Sequence, residues 1–251
     1  MPWEWRDPYR IRNALYPIYL SWPLALMKHF KCDYQYLVLI SPYIAHFPLM
    51  ALSDWYLWKI GKHTVGKDST KIAFILMLTN MFMVEYEIRC FTNTLEKILN
   101  VIAFWFFLQQ DSTFSRNTVA LTAFITVSFI MRNTSPVGWI PLLLHKSWNQ
   151  SIVPFVISGV FVALPLLVAC VYLDSIYYMH ANTSSSGTSL DHHSENKKFE
   201  WTITSLNFLK VNVLEGLSKY FGDHRFTEYI FKFLPEDIFK GMFIFMVYGL
   251  Y

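Results

Sequence analysis

The chain has 251 residues, of which 54% are hydrophobic, 18% aromatic and 16% charged, and its formal net charge is +3. Soluble domains usually carry about 25% charged residues, so this composition argues against one large soluble domain and indicates a protein surrounded largely by lipid. The small net charge excludes a strongly basic, nucleic-acid-binding surface. The three cysteines (Cys32, Cys90 and Cys170) are far apart, which argues against a zinc site or a disulfide framework.

Hydrophobic runs of the length that crosses a membrane, about 20 residues, recur along residues 1–179. Ala14–Phe30 comes first, but Pro17 and Pro23 break it, so it is predicted to lie in the membrane interface or to re-enter. The strongest candidate spans are Tyr36–Trp58 and the charge-free Ser151–Tyr172. Shorter candidates are Lys71–Val84, Ile98–Gln109 and Asn117–Met131, with Trp139–Leu144 as a half-span. The pattern predicts an all-α polytopic membrane protein.

Lysines in a short loop predict the orientation of these spans. The stretch Lys59–Lys67 holds three lysines and is therefore assigned to the cytosol. Alternation of the spans then assigns the remaining polar stretches to the two sides. The luminal stretches are Glu85–Lys97, Arg132–Gly138 and Asp174–Ile238, and the cytosolic ones are Asp111–Arg116 and Lys146–Gln150.

Residues 180–200 differ in composition from the rest of the chain. Within them, HANTSSSGTSLDHHSENKK has almost no apolar residue with which to build a core, so we predict a disordered Ser-rich luminal insertion. Asn182 begins an Asn-Thr-Ser glycosylation sequon there. The predicted organisation is membrane helices and short loops over 1–179, the insertion over 180–200, a luminal segment over 201–238, and the start of a membrane helix over 239–251.

Charged and polar residues collect at the predicted luminal ends of the spans, where chemistry in a membrane enzyme is expected. Arginines facing one cleft suit a phosphate-bearing lipid, because a guanidinium binds phosphate through two hydrogen bonds. Asp174 and His224 are candidates for orienting sugar hydroxyls or transferring protons. Each arginine could instead extend to lipid headgroups, and aromatic residues at span ends also form interfacial belts.

No Gly-rich phosphate loop and no DxD acidic pair occurs in the sequence. That absence favours a lipid-linked sugar donor and a reaction that needs neither a metal nor another cofactor.

Four stretches, in the same order along the chain, resemble the family 22 dolichol-phosphate-mannose-dependent mannosyltransferases. They are WEWR with RIRNALYP (Trp3–Arg6 and Arg10–Pro17), IRCFTNTLEKIL (Ile88–Leu99), MRNTSPVGWIPLLL (Met131–Leu144), and LDSIYY (Leu173–Tyr178) with Trp201 and Asn207–Pro235. The resemblance implies a glycosyltransferase C-type helical bundle with luminal loops, a multi-pass protein of the endoplasmic-reticulum membrane in contact with membrane lipids.

The resemblance also implies a reaction. Mannose would pass from dolichol-phosphate mannose to a glycosylphosphatidylinositol (GPI) anchor precursor in the lumen, as an α-1,2-linked third mannose. We assign the donor phosphate to Arg89 and Arg132, with Arg12 as a further contact. The acceptor and sugar region is assigned to Trp201, Asn207 and Asn212, together with the catalytic candidates Asp174 and His224.

The sequence departs from the family pattern at its start. The family's acidic His-Pro-Asp-Glu motif, whose Asp is assigned as the catalytic base, precedes the Trp-Glu-Trp element, and here Met1 and Pro2 stand before Trp3. The chain is therefore expected to be a piece of a longer protein, truncated at both ends, with its catalytic base unknown. Alternatives are an inactive relative that acts as a membrane or interaction protein, an N-glycan or fourth-mannose enzyme of the same family, and a transporter or channel.

Overall fold

The structure is a computed structural model that describes residues 3–5, 8–32, 34–79, 90–110, 114–149, 151–185, 199–216 and 226–228. Every regular element in these ranges is helical, in agreement with the predicted all-α fold. The first six helices are α1 (Leu15–His29), α2 (Gln35–Thr64), α3 (Lys67–Thr79), α4 (Thr92–Leu108), α5 (Arg116–Met131) and α6 (Pro136–Asn149). Short helical turns lie at Trp3–Trp5 and Phe226–Glu228.

Two further helices each contain a π-helical turn. Helix α7 begins as Val153–Ser158, passes through a π turn at Gly159–Ala163 and continues as Leu164–Ser185. It therefore extends into the first residues of the predicted insertion, whose residues 186–198 lie outside the described ranges. Helix α8 begins as Thr204–Leu209 and ends in a π turn at Lys210–Leu214.

Among the described residues, two helices are long and apolar enough to cross a membrane: α2 (Gln35–Thr64) and the Val153–His180 part of α7. Only 22% and 11% of their most apolar windows are buried inside the structure. The core helix of a soluble protein would be mostly buried, whereas these helices expose apolar side chains along their length, as lipid-facing helices do. Helix α5 is a shorter apolar helix.

Helices α4 and α5 form an antiparallel pair at the centre of the described structure. Ala103 and Leu121 are fully buried between them, and the rings of Phe106 and Phe124 stack with their centroids 5.8 Å apart. Trp139 of α6 completes this apolar cluster. Helix α5 begins at a capping residue, since the Ser115 hydroxyl accepts a hydrogen bond from the backbone N–H of Thr118 at 3.4 Å.

The outer helices pack on this pair through specific contacts. Helix α2 lies on α4, where the Tyr56 ring meets Trp105 and the opposite charges of Asp54 and Lys97 attract each other. Charged side chains within spanning helices are expected to be paired in this way. Helix α1 packs on α2, with the Tyr19 hydroxyl donating to the carbonyl of Ala45.

Polar contacts mark both ends of the central pair. At one end, Lys146 Nζ donates to the carbonyls of Phe107 (2.7 Å) and Gln110 (3.1 Å). The opposite end gathers the start of α4, the turn between α5 and α6, the residues before α1, and the middle of α7. Parts of three stretches predicted to be luminal, around Thr92, Arg132 and Asp174, therefore lie at one end of the bundle.

Asn100 fixes the turn between α5 and α6 at that second end. Its side-chain oxygen accepts hydrogen bonds from Trp139 Nε1 (2.9 Å), Ser128 Oγ (3.0 Å) and Ser135 Oγ (3.3 Å). Both serines and the tryptophan are buried. This one side chain of α4 thus holds the end of α5 and the beginning of α6. The short segment 132–134, which joins the two helices, is held with them.

We expect Asn100→Leu to destabilise the protein by about 1–3 kcal/mol, because it removes the acceptor shared by three buried donors. Asn117→Ala is the matched control, since Asn117 makes a single hydrogen bond to the Gln109 carbonyl at the opposite end. Thermal unfolding of the purified protein in detergent measures both. Equal melting temperatures for the two variants would contradict the role given to Asn100.

Candidate functional site

A cavity of about 190 Å³ lies at the polar end of the bundle. Five stretches of chain form its wall: the residues before α1, the start of α4, the end of α5, the turn that follows it, and α8. The lining residues are Ile11, Arg12, Asn13, Thr92, Asn93, Ile130, Met131, Arg132, Asn133, Thr134 and Phe208. Seven of these eleven are Arg, Asn or Thr, so the wall is rich in hydrogen-bonding groups within an otherwise apolar bundle.

Arg12 is held in the wall by Glu4. The guanidinium donates two hydrogen bonds to the Glu4 carboxylate, from Nε at 3.0 Å and from a terminal nitrogen at 2.7 Å. The backbone N–H of Ile11 also donates to the Glu4 carbonyl at 2.9 Å. This two-point pairing fixes the plane of the guanidinium, while the Arg12 side chain keeps 39% of its surface exposed.

Arg132 is held by a different carboxylate, through a single hydrogen bond. It donates to Glu96 Oε2 at 2.9 Å, and Glu96 lies one helical turn after Thr92 on α4. The Arg132 side chain is 40% exposed, whereas that of Glu96 is 15% exposed. A guanidinium has five N–H donors, and within the described part of the chain Glu4 takes two from Arg12 and Glu96 one from Arg132. Both arginines can therefore still bind an anion in the cavity.

Asp174 does not line the cavity but lies behind it. Its carboxylate is fully buried and accepts hydrogen bonds from the Ala14 backbone N–H, Asn13 Nδ2 and Thr204 Oγ1, each at 2.9 Å. The Cys170 thiol also points at it, at 3.8 Å. A carboxylate surrounded by donors from three segments has no oxygen directed at the cavity. The geometry favours a positioning role over the catalytic role predicted from the sequence.

The neighbours of Asp174 on α7 hold further segments. Ser175 Oγ accepts a hydrogen bond from the backbone N–H of Thr202 at 2.8 Å, and the buried Tyr178 hydroxyl donates to the Arg12 carbonyl at 2.7 Å. The Trp5 ring packs beside that of Tyr178. The spacing of the Asp-Ser-x-x-Tyr element thus places three polar groups on one face of α7, each bonded to a different backbone or side-chain group.

None of the three residues predicted to form the acceptor region lines the cavity. Asn207 Nδ2 donates to the Arg10 carbonyl at 3.3 Å, and Asn212 Nδ2 donates to the Phe208 carbonyl within α8. Trp201 is 63% exposed on the outer surface, with its ring 5.0 Å from that of Phe199. Their assignment to the sugar region therefore gains no support from the geometry, and Phe208 is the α8 residue in the wall.

Two predicted site residues, Arg89 and His224, lie outside the described residues, and their roles stay predictions. Within the described ranges, no three His, Cys, Asp or Glu side chains come together as metal ligands would. The expectation of a metal-independent reaction likewise stays a prediction.

Sequence patterns did not predict the two carboxylates that hold the arginines or the asparagines of the cavity wall. Glu96 belongs to the Thr-Asn-Thr-Leu-Glu element and Glu4 to the Trp-Glu-Trp element, so both stood in quoted motifs without an assigned role. Asn13 and Asn133 each follow an arginine that was assigned to the donor phosphate, whereas Asn93 belongs to the Thr-Asn-Thr-Leu-Glu element. A glutamate in a motif that contains an arginine, or that packs against one, was the signal that could have identified Glu4 and Glu96 as site residues.

The profile of the Alg9-like mannosyltransferase family matches residues 1–251. GPI alpha-1,2-mannosyltransferase 3 of Bos taurus is 26% identical over 237 residues, which cover 94% of the chain and 40% of the relative. The Homo sapiens protein of that name is 25% identical, covering 94% and 39%. GPI mannosyltransferase 3 of Candida albicans is 28% identical, covering 100% and 46%.

The chain thus spans less than half the length of these curated relatives. No solved structure matches it.

We expect Asp174→Ala to destabilise the protein by at least about 1.5–3 kcal/mol, the range for one hydrogen bond to a charged group, because three donors lose their acceptor. Asp68→Ala is the control: the Asp68 side chain is 91% exposed and pairs with the neighbouring Lys71 on the surface, so its loss should cost less than about 0.5 kcal/mol. Thermal unfolding in detergent compares the two. An Asp174→Ala protein as stable as the wild type would remove the positioning role.

Proposed function

The chain belongs to the Alg9-like mannosyltransferase family, and on that premise we propose that it transfers mannose from a lipid-linked phosphate donor to a glycolipid acceptor. The donor we propose is dolichol-phosphate mannose. The names of the relatives support a GPI-anchor precursor as the acceptor and an α-1,2 linkage, that of the third mannose.

We propose further that the protein crosses the endoplasmic-reticulum membrane several times, with the cavity end in the lumen. The lysine-rich stretch between Lys59 and Lys67 supports this orientation, since positive loops remain in the cytosol. Lys59 begins that stretch, and its Nζ lies 5.3 Å from the ring centroid of Trp105, in the last turn of α4. The cavity, in contrast, is lined by the first residues of α4.

The observation that carries the proposal is the pair of arginines in one polar cavity. Arg12 and Arg132 are 120 positions apart in the sequence, yet they line the same space. A guanidinium fixed by a carboxylate presents its remaining N–H groups in a defined direction, which suits a two-point contact with two oxygens of a phosphate group. The side-chain N–H groups of Asn133, whose oxygen already accepts from Ser205, can donate to sugar hydroxyls in the same space.

The proposed reaction places specific demands on these groups. An acceptor hydroxyl attacks the anomeric carbon of the mannose, the bond from that carbon to the phosphate oxygen breaks, and the acceptor proton passes to a base. Negative charge then grows on the departing lipid phosphate. Arg12 and Arg132 stabilise that charge, and they do so most strongly where little water competes for them. The arginines thereby supply the charge that a metal ion provides in many nucleotide-sugar enzymes.

We expect Arg132→Ala to reduce mannose transfer about 100–1,000-fold, the usual effect of removing one preorganised donor to a developing anion. Arg12→Ala should act in the same direction. Arg132→Lys should recover only part of the activity, because an ammonium cannot form the planar two-point contact. The assay measures transfer of labelled mannose in membranes that express the full chain.

Arg116→Ala is the matched control for this series. Arg116 is an exposed arginine at the start of α5, at the opposite end of the bundle, so its removal should leave the transfer rate unchanged. Normal transfer in Arg132→Ala, at equal protein level, would disprove phosphate binding in the cavity. Offering GPI precursors with two and with three mannoses to the wild type identifies the acceptor.

A further inference from the structure

The segment of residues 199–214 exposes six large apolar side chains on one face and buries two threonines, Thr202 and Thr204, while the charged side chains of Glu200 and Lys210 are also exposed. Its outward face consists of Phe199, Trp201, Ile203, Leu206, Leu209 and Val213, which are 39% to 64% exposed. The alternation of residues 199, 201 and 203 before α8, and the helical spacing of 206, 209 and 213 within it, keep these side chains on one side.

The inward side of the same segment is bonded to the bundle. Thr202 Oγ1 accepts a hydrogen bond from Arg10 at 3.2 Å, and Thr204 Oγ1 donates to Asp174 at 2.9 Å. Ser205 Oγ donates to Asn133 Oδ1 at 2.8 Å. A helix on a water-exposed surface turns its polar face outward, so this segment has the reverse arrangement.

A neighbouring surface indicates what covers the outward face. Along α7, the exposed apolar residues Phe161, Leu164, Val168 and Tyr172 follow one another at helical spacing, within a helix that is apolar enough to span a membrane. The Tyr172 ring lies 6.1 Å from Phe199 and 6.5 Å from Trp201. The outward face therefore continues the lipid-facing stripe of α7.

We propose that residues 199–214 lie against the lipid bilayer, with the outward face in the region between headgroups and acyl chains. The aromatic rings of Tyr172, Phe199 and Trp201 form a cluster where the α7 stripe meets this segment, and aromatic side chains concentrate at that depth of a membrane. A short helix with apolar side chains on its lipid side is held in the interfacial plane by the same hydrophobic burial that holds other surface-bound helices. The partner of this surface is lipid, and the segment is not a water-exposed luminal loop.

Collision-based spin-label accessibility tests the proposal. Single cysteines at Leu206, Leu209 and Val213 are introduced into the full chain with Cys32→Ser and Cys90→Ser, while the buried Cys170 is retained and its background signal measured. The protein is reconstituted in phosphatidylcholine vesicles. Apolar oxygen and a water-soluble nickel chelate then serve as the two relaxing agents.

We expect the three outward positions to favour oxygen over the chelate to the same degree as a label at Phe161 on α7. A label at Asp68, whose side chain is 91% exposed, supplies the water standard, and one at Asn207 supplies the protein-facing standard. Chelate collisions as frequent as at Asp68 would show a water-exposed loop and overturn the proposal. Low collision rates with both agents, as at Asn207, would show cover by protein, either another segment or a second copy, and would overturn it equally.

A label-free measurement checks the same point independently of the cysteine substitutions. Brominated phosphatidylcholine should quench the tryptophan fluorescence of the wild type more than that of Trp201→Phe, because the substitution removes an indole that contacts lipid. The same fractional quenching in both proteins would count against lipid contact at Trp201. Neither measurement requires mannose transfer, so the outcome is separate from the proposed enzymatic function.

Discussion

The buried carboxylate of Asp174 is the contact on which the polar end of the bundle depends. It joins the residues before α1, the side of α7 and the start of α8, which are separated in sequence by up to 191 positions, from Asn13 to Thr204. An unpaired carboxylate in an apolar bundle would be very costly, so these donors must all be in place for the fold to form. Because Asn13 is one of these donors, folding itself places Asn13 in the cavity wall.

The two arginine–glutamate pairs determine how the guanidinium groups are oriented at this end of the bundle. Glu4 orients Arg12 from a short turn, whereas Glu96 orients Arg132 from the long helix α4, which also carries Asn100. Each glutamate lowers the cost of keeping a guanidinium at the edge of an apolar bundle, and each leaves the guanidinium partly exposed towards the cavity. The cavity is therefore preorganised by the protein itself, which is the condition under which fixed charges act on a reacting group without prior rearrangement.

The predictable parts of the fold and site are those that depend on composition or short spacing. Charge-free or apolar runs predicted α4, α5 and α7, and the arginine clusters predicted that Arg12 and Arg132 share one end. The role of Asp174 could not be predicted, because a carboxylate at a water boundary and one buried among donors look alike in sequence. The side of the protein to which Trp201 points could not be predicted either. An aromatic residue suits a sugar site, a protein core or a lipid surface, and only its neighbours in the structure distinguish these.

The two faces of residues 199–214 connect the site to its surroundings. The inward face supplies Phe208 to the cavity and bonds Ser205 to Asn133, while the outward face continues the lipid-facing stripe of α7. A single short helix thus separates hydrogen-bonding groups from apolar surface. A lipid-linked sugar has the same division, with a polar head next to a long apolar tail, and it loses the least solvation energy where both environments lie side by side. The arrangement of α8 therefore matches the proposed donor in a way that a cavity deep inside a soluble domain would not.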